Sequence, residues 1–203
     1  MLEAVFWDVQ HGSAAYISTP IGKHIAIDLG TGSYKNSDLT FSPLLHLKNK
    51  YNIYKLDSVI MTHPHRDHLS DITNFFELTP FCIDRPSHLT NQEIISANPA
   101  GNNDILEKYF RIGYMYNNPT PDNINPLKDF NNGGVDIKIF YPKKCAATNL
   151  NNHSLVTVLS YANSKLLIPG DNEEPSWDEL LENDEFEAAI KGADDTVSNA
   201  SEK

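Results

Sequence analysis

The densest group of chemically active side chains lies between Thr62 and His68. Directly after an apolar run typical of a buried strand, this segment carries His63, His65, Asp67 and His68. Imidazole and carboxylate groups bind zinc and similar divalent ions. The alternative without a function is a surface loop that is rich in histidine by chance. The density of donors favours a metal site.

The position of this segment at a strand end also matters. A strand end is rigid, and the turn that follows can direct alternate side chains at two neighbouring ions. In this interpretation His63 and His65 bind one ion, and Asp67 and His68 bind the other. The motif alone therefore indicates a dinuclear centre.

Several elements must position this turn. Strand-forming residues separated by turn residues predict an antiparallel meander before it, over Ala4–Val9, Ala14–Ser18 and His24–Asp28. Ser42 followed by Pro43 predicts the start of a helix that runs to about Lys50. The strand that leads into the histidines is predicted over Leu56–Met61.

The second half of the sequence predicts a different set of elements. Residues 117–134 are crowded with Asn, Pro, Asp and Gly, so a long loop is expected there. A hairpin is predicted over Ser154–Tyr161 and Lys165–Pro169. Helices are predicted over Asp104–Tyr116, Trp177–Leu181 and Asp184–Ile190.

Composition gives broad limits. The 203 residues suit one domain, with 40% hydrophobic residues, and the net charge of −11 is concentrated near the end. Residues 171–203 hold 12 acidic and 2 basic side chains, and no basic stripe stands out elsewhere. No apolar run is long enough for a membrane span and no secretion signal is visible, so we expect a cytoplasmic protein. Cys82 and Cys145 are expected to be reduced, buried thiols.

The HxHxDH pattern after a strand resembles the first metal-binding motif of the metallo-β-lactamase superfamily. Other stretches resemble the subgroup related to the hydrolase domain of bacterial DNA-uptake channels. Its opening strands are similar to Phe6–Gly12 and Ile25–Gly30, and its later hairpin is similar to Asn152–Val156 and Leu167–Asp171. The resemblance implies an α/β fold (α+β in some schemes), an αββα sandwich, over residues 1–191. The polarity of residues 192–203 predicts a frayed tail there.

The resemblance also implies roles for single residues. His63 and His65 would bind the first metal, Asp67 and His68 the second, and Asp171 would bridge them. His153 is either a further ligand of the first metal or a neighbour in the same loop. Asp28 resembles a family position that supports the ligands from behind without binding metal; an Asp that caps the Gly30–Gly32 turn is a compatible interpretation.

The pattern of this subgroup continues with another strand and a His-His-Gly segment that supplies the last ligand of the second metal. In this sequence no histidine follows His153. The resemblance therefore implies a second site that lacks a ligand and a fold that is incomplete in its C-terminal half. Open strand edges favour pairing, so a homodimer or a partner chain that completes the fold is expected.

The function implied by the resemblance is that of a metal-dependent hydrolase. Two divalent ions, zinc with manganese as the alternative, would activate a hydroxide, with Asp67 as the catalytic carboxylate. The expected substrate is a phosphodiester in nucleic acid or a nucleotide, and no membrane partner is expected. Two alternatives remain open: a non-catalytic binding or regulatory module on the same fold, and a small-molecule esterase or thioesterase.

Overall fold

The structure, a computed structural model, describes residues 1–33, 39–98, 101, 103–193 and 195–196. Its main sheet has five strands in the order β1-β2-β3-β6-β7. The strands are β1 (Glu3–Phe6), β2 (Ala15–Ser18), β3 (His24–Ile27), β6 (Ser58–Ile60) and β7 (Cys82–Asp84). The first three strands form the predicted antiparallel meander, and β3, β6 and β7 run parallel. The C-terminal ends of β3, β6 and β7 therefore lie on the same side of the sheet.

A second sheet has four strands in the order β11-β10-β9-β8. They are β8 (Asp136–Phe140), β9 (Val156–Tyr161), β10 (Ser164–Ile168) and β11 (Asp195–Thr196). The hairpin of β9 and β10 agrees with the predicted one, and its turn places Ala162 at a φ of 53°. A small third sheet pairs β4 (Gly32–Ser33) with β5 (Thr40–Phe41).

Helices cover the outer faces of the two main sheets. Before β8 the chain forms α1 (Pro43–Tyr51), α2 (Arg66–Leu69), a 3-10 helix (Ser70–Leu78), α3 (Asn91–Ala97), α4 (Asn103–Met115), a 3-10 turn (Asp122–Ile124) and α5 (Asp129–Asn132). After β8 it forms a 3-10 turn (Leu150–His153), α6 (Glu174–Leu181) and α7 (Asp184–Ile190). Of these, α1, the 3-10 helix Ser70–Leu78, α3 and α4 contribute to the apolar cluster on the main sheet, and α6 and α7 contribute to the one on the second sheet.

Three apolar clusters show how the layers stack. Alternate residues of β3 point to opposite faces, so Ala26 packs against α1 and α4, whereas Ile25 and Ile27 face the second sheet. On the second sheet, Leu159 faces inwards and Val158 packs against α6 and α7. The order is therefore helices, sheet, sheet, helices. The predicted αββα sandwich is confirmed.

Helix α1 begins as the sequence predicts. Ser42 caps it by accepting a hydrogen bond from the Leu45 backbone N–H at 3.0 Å, and Pro43 occupies the first helical position. Asn52 ends the helix in the left-handed conformation, with a φ of 57°. Buried Asp71 accepts from the Leu44 N–H and from the Ser42 hydroxyl, so this helix start is held next to the segment that follows the histidine turn.

Two regions differ from simple expectation. The predicted loop 117–134 contains α5 and a 3-10 turn, because the buried Asn132 side chain donates to Val135 O and Pro126 O and accepts from Val135 N. In the predicted polar tail, Asp195–Thr196 pair in parallel with β10; residues 194 and 197–203 lie outside the described residues.

Both cysteines are free thiols. Cys82 is buried as expected. Cys145 is only half-buried, contrary to expectation, and its Sγ lies 3.6 Å from the Glu179 carboxylate. Among the described residues, no helix combines the length and the apolar character that crossing a bilayer requires.

Candidate metal centre

Asp28 fixes the turn that carries the histidines. It follows β3 with a φ of 59° and is 2% exposed. Its carboxylate accepts hydrogen bonds from the Thr62 backbone N–H at 2.7 Å and from the Thr62 hydroxyl at 2.8 and 2.9 Å. The same carboxylate lies 2.8 Å from Nδ1 of His68. Asp28 therefore joins the end of β3 to both ends of the histidine turn.

His68 is fully buried and lies between two carboxylates. Nδ1 faces Asp28, and Nε2 lies 3.3 Å from Oδ2 of Asp171. Burial alone would lower the pKa of this imidazole, but the charges and contacts of Asp28 and Asp171 outweigh it and raise the pKa of His68 to about 10. The two carboxylates that raise this pKa make the surroundings of the ring favourable for positive charge.

His63 is the second buried imidazole of the turn. Its Nδ1 lies 3.1 Å from the Ser154 hydroxyl, and its Nε2 lies 3.0 Å from Nδ1 of His65. Burial, together with the neighbouring imidazoles of His68 and His65, holds the pKa of His63 well below its usual value. His63 is therefore neutral and has a nitrogen lone pair to offer a metal.

Asp171 approaches both histidines from the second sheet. It follows β10, and its carboxylate Oδ2 lies 3.3 Å from Nε2 of His68 and 4.0 Å from Nε2 of His63. One ligand atom from each of His63, His68 and Asp171 lies within 4.8 Å of the other two. The structure thus brings together a carboxylate and two imidazoles that lie 103 to 108 positions apart in the sequence.

These three residues fit a divalent metal ion. Nε2 of His68 is buried and makes no hydrogen bond, whereas Nδ1 on the other side of the ring is paired with Asp28. A carboxylate behind one ring nitrogen is how metal-binding imidazoles are usually oriented. Neutral His63 and the partly exposed Asp171 carboxylate complete a nitrogen and oxygen donor set suited to zinc.

The other predicted ligands of the turn, His65 and Asp67, do not belong to this group, because their ligand atoms do not lie within 4.8 Å of all of its members. His65 contacts Nε2 of His63, and burial lowers the pKa of His65. Asp67 is partly exposed in the first turn of α2. Its backbone is packed tightly, because a Cβ added at Gly12 or Gly30 would overlap the Asp67 carbonyl oxygen. The loop between β1 and β2 and the segment after β3 therefore fix the position of Asp67.

His153 makes a contact that its sequence position does not suggest. It is 1% exposed, and its Nδ1 lies 2.9 Å from Nε2 of His88. The His88 ring in turn stacks on Tyr141, with the ring centroids 5.2 Å apart. The structure does not place His153 in the group formed by His63, His68 and Asp171.

Sequence reasoning assigned no role to His88, Thr62 or Ser154. His88 and His153 are 65 positions apart, so no local spacing could reveal their contact. Thr62 was visible only as the residue before the motif. The Ser154 hydroxyl links His63 to the Asp171 backbone N–H, at 3.1 and 3.3 Å, and this link depends on the pairing of two sheets.

The fold and centre together define a layered α/β protein with a buried histidine and aspartate site between its two sheets. No protein-family model and no curated protein matches the sequence. Among solved structures, the chain is similar to AidC, a dizinc quorum-quenching lactonase in complex with a product, with 17% identity and a TM-score of 0.45. It is also similar to a Thermotoga maritima protein named as a metallo-β-lactamase, with 17% identity and a TM-score of 0.43.

Coverage differs between these two structures. The likeness to the lactonase covers 77% of this chain and 55% of the lactonase, so the chain spans about half of that protein. The likeness to the Thermotoga maritima protein covers 83% of this chain and 73% of that one. Neither likeness is close enough to show what this chain does, so its chemistry rests on its own side chains.

Proposed function

We propose that this chain is a metal-dependent hydrolase that binds two divalent ions, zinc with manganese as the alternative, and cleaves a phosphodiester. The observation that carries the proposal is the convergence of His63, His68 and Asp171 on one point. His65 and Asp67 on the same turn extend the donor set towards a second ion. The proposal uses every residue of the HxHxDH motif.

The residues have distinct tasks in this proposal. Asp28 holds the His68 ring so that Nε2 faces the centre, and Ser154 does the same for His63 through its contact with Nδ1. Asp171 would supply a carboxylate to the metal ions from the second sheet. When bound, divalent ions lower the pKa of water towards about 7 and polarise the substrate oxygen. Asp67 orients the attacking water and accepts its proton.

The substrate class is supported by the resemblance of the motifs to the hydrolase domain of DNA-uptake channels. Phe6–Gly12 leads from the end of β1 into the loop before β2, Ile25–Gly30 covers most of β3 and its exit, and Leu167–Asp171 carries the distant carboxylate. A phosphodiester suits two ions, because one can stabilise the attacking oxygen and the other the leaving oxygen.

The test combines metal content with hydrolysis. Purified full-length protein, loaded with zinc or manganese, is analysed for bound metal and assayed on bis(4-nitrophenyl) phosphate. We expect close to two ions per chain, and a loss of hydrolysis of at least about 100-fold in His68→Ala and in Asp171→Asn. His46→Ala is the matched control, because His46 packs edge-on against Phe41 and Tyr51, away from the histidine turn.

Other outcomes decide against parts of the proposal. Folded protein that binds no metal would support a non-catalytic module. Turnover of 4-nitrophenyl acetate or a lactone, with none of the phosphodiester, would overturn the substrate class and leave the metal centre intact. Unchanged hydrolysis in His68→Ala, with the melting temperature of the wild type, would contradict the assignment of the centre.

A further inference from the structure

A cavity lies at the β7 edge of the main sheet. Its volume is about 710 Å³, which is in the range of small-molecule sites. One wall is β7 with the residues that follow it, and the other is the end of α4 with the start of loop 117–134. In the sheet order β7 is an edge strand, and it separates the cavity from β6, the strand that leads to the histidine turn. The cavity is therefore distinct from the metal centre.

An acid that has no partner among the described residues lines this cavity. Asp84 is the last residue of β7, and no described residue donates a hydrogen bond or offers a basic group to its carboxylate. Burial, which nothing offsets, raises the pKa of Asp84 to about 6. A carboxyl group that remains largely ionised at neutral pH in such surroundings is costly unless something cationic binds to it.

The same cavity is lined by a base that has no acidic partner in the described part of the chain. The Arg85 guanidinium lies over the Tyr109 ring, 5.0 Å from its centroid, and donates to Pro86 O and the Tyr109 hydroxyl. No carboxylate of a described residue lies within 4.0 Å of it. A guanidinium held against an aromatic ring, with donors to spare, is prepared to bind a carboxylate.

Gly113 has a specific role in placing this guanidinium. A Cβ at position 113 would overlap the Arg85 guanidinium, so the absence of a side chain on this turn of α4 lets Arg85 lie flat against the helix. Glycine is a poor residue for the interior of a helix. Its presence here is explained by the space that Arg85 needs.

We propose that this cavity binds a short peptide with free ends, whose ammonium group pairs with Asp84 and whose carboxylate pairs with Arg85. The two side chains are not paired with each other, so the opposite charges of the ligand must lie further apart than in a direct ion pair. A dipeptide meets this condition. Asn117, Asn118 and Asn125 offer amides to its peptide group, and Phe81 and Met115 offer apolar surface.

The test uses full-length protein and the dipeptide Ala-Phe as probe, in isothermal titration calorimetry with a thermal-shift screen of further dipeptides. Two matched analogues each remove one charge: N-acetyl-Ala-Phe lacks the ammonium, and Ala-Phe amide lacks the carboxylate. We expect dipeptides with an apolar second residue to bind, and each analogue to bind at least about tenfold more weakly.

Variants locate the binding. Asp84→Asn should reduce binding of the dipeptide but not of its N-acetyl analogue, and Arg85→Gln should reduce binding of the dipeptide but not of its amide. Gly113→Ala should also weaken binding, because the new Cβ displaces the guanidinium while alanine favours the helix. Arg111→Gln is the control, since this exposed arginine lies over Phe76 outside the cavity.

Any of the following results would overturn the proposal. One is the absence of binding by every dipeptide in the screen. The other is equal affinity for the dipeptide and both capped analogues, or binding that survives in Arg85→Gln and Asp84→Asn alike. Neither result bears on the metal centre, because hydrolysis and metal content are measured separately and involve none of these residues.

Discussion

Replacing Asp84 by asparagine should stabilise the protein in a way that depends on pH. In the folded state burial raises the pKa of Asp84 from the usual 3.8 to about 6. A carboxyl group with a higher pKa in the folded state binds its proton more readily when folded. The stability that protonation contributes is present at acidic pH, and it is lost as the pH rises from 3.8 through about 6.

The size of the effect follows from the two pKa values. Each pKa unit corresponds to about 1.4 kcal/mol, so the ionised carboxylate lowers the free energy of unfolding by about 3 kcal/mol at pH 8. At pH 4.5 the same linkage predicts that ionisation of Asp84 lowers the free energy of unfolding by only about 1 kcal/mol. The asparagine side chain has no charge to bury, so the advantage of the variant should grow by about 2 kcal/mol between these two pH values.

Urea unfolding of wild type and variant at both pH values, without added peptide, measures this growth. The buried asparagine amide has its own cost, but that cost does not change with pH and cancels in the comparison. Asp136→Asn is the control, because the Asp136 carboxylate is half exposed beside Lys138. The effect of Asp136→Asn on the free energy of unfolding should differ between the two pH values by less than about 0.5 kcal/mol. A stability difference for Asp84→Asn that is the same at both pH values would refute the reasoning.

Three further predictions concern the metal centre and its support. Asp28→Asn keeps an acceptor for Thr62 but loses the charge behind the His68 ring, so zinc affinity should fall about 10- to 100-fold in competition with a chromophoric chelator. Gly12→Ala should lower the free energy of unfolding by about 2 kcal/mol or more in urea, because the backbone has a φ of 93° and the new Cβ overlaps Asp67. Gly22→Ala, with a φ of 77° and open space around it, should cost only about 1 kcal/mol, and equal losses would show that the contact with Asp67 is unimportant. Chelation of the metal should lower the melting temperature of the wild type more than that of His68→Ala, and equal shifts would contradict binding at this residue.

Local signals in the sequence predicted the parts of the fold that local chemistry determines. The Ser42–Pro43 start of α1 depends on one hydroxyl and one ring, and both act within three residues. The hairpin of β9 and β10 follows from two strand-forming runs joined by a tight turn. The histidine turn was found because its donors are adjacent in the chain. Asp171 was associated with it through the family resemblance, not through spacing.

The remaining features depend on contacts between distant segments, which local patterns do not encode. The contact of His88 with His153 joins the loop after β7 to the turn before β9. The unpaired state of Asp84 and Arg85 among the described residues is visible only once every neighbour is known. In loop 117–134, three hydrogen bonds of the Asn132 side chain organise a segment whose composition indicates irregular structure.

The location of Asp171 has a mechanical consequence for the whole sandwich. The two histidines follow a strand of the main sheet, and the carboxylate follows a strand of the second sheet. An ion bound by all three would therefore link the two sheets directly. Sliding of one sheet over the other would then require a metal bond to break. When the metal centre is occupied, the two sheets should consequently resist sliding past each other, and the whole domain should unfold in one step.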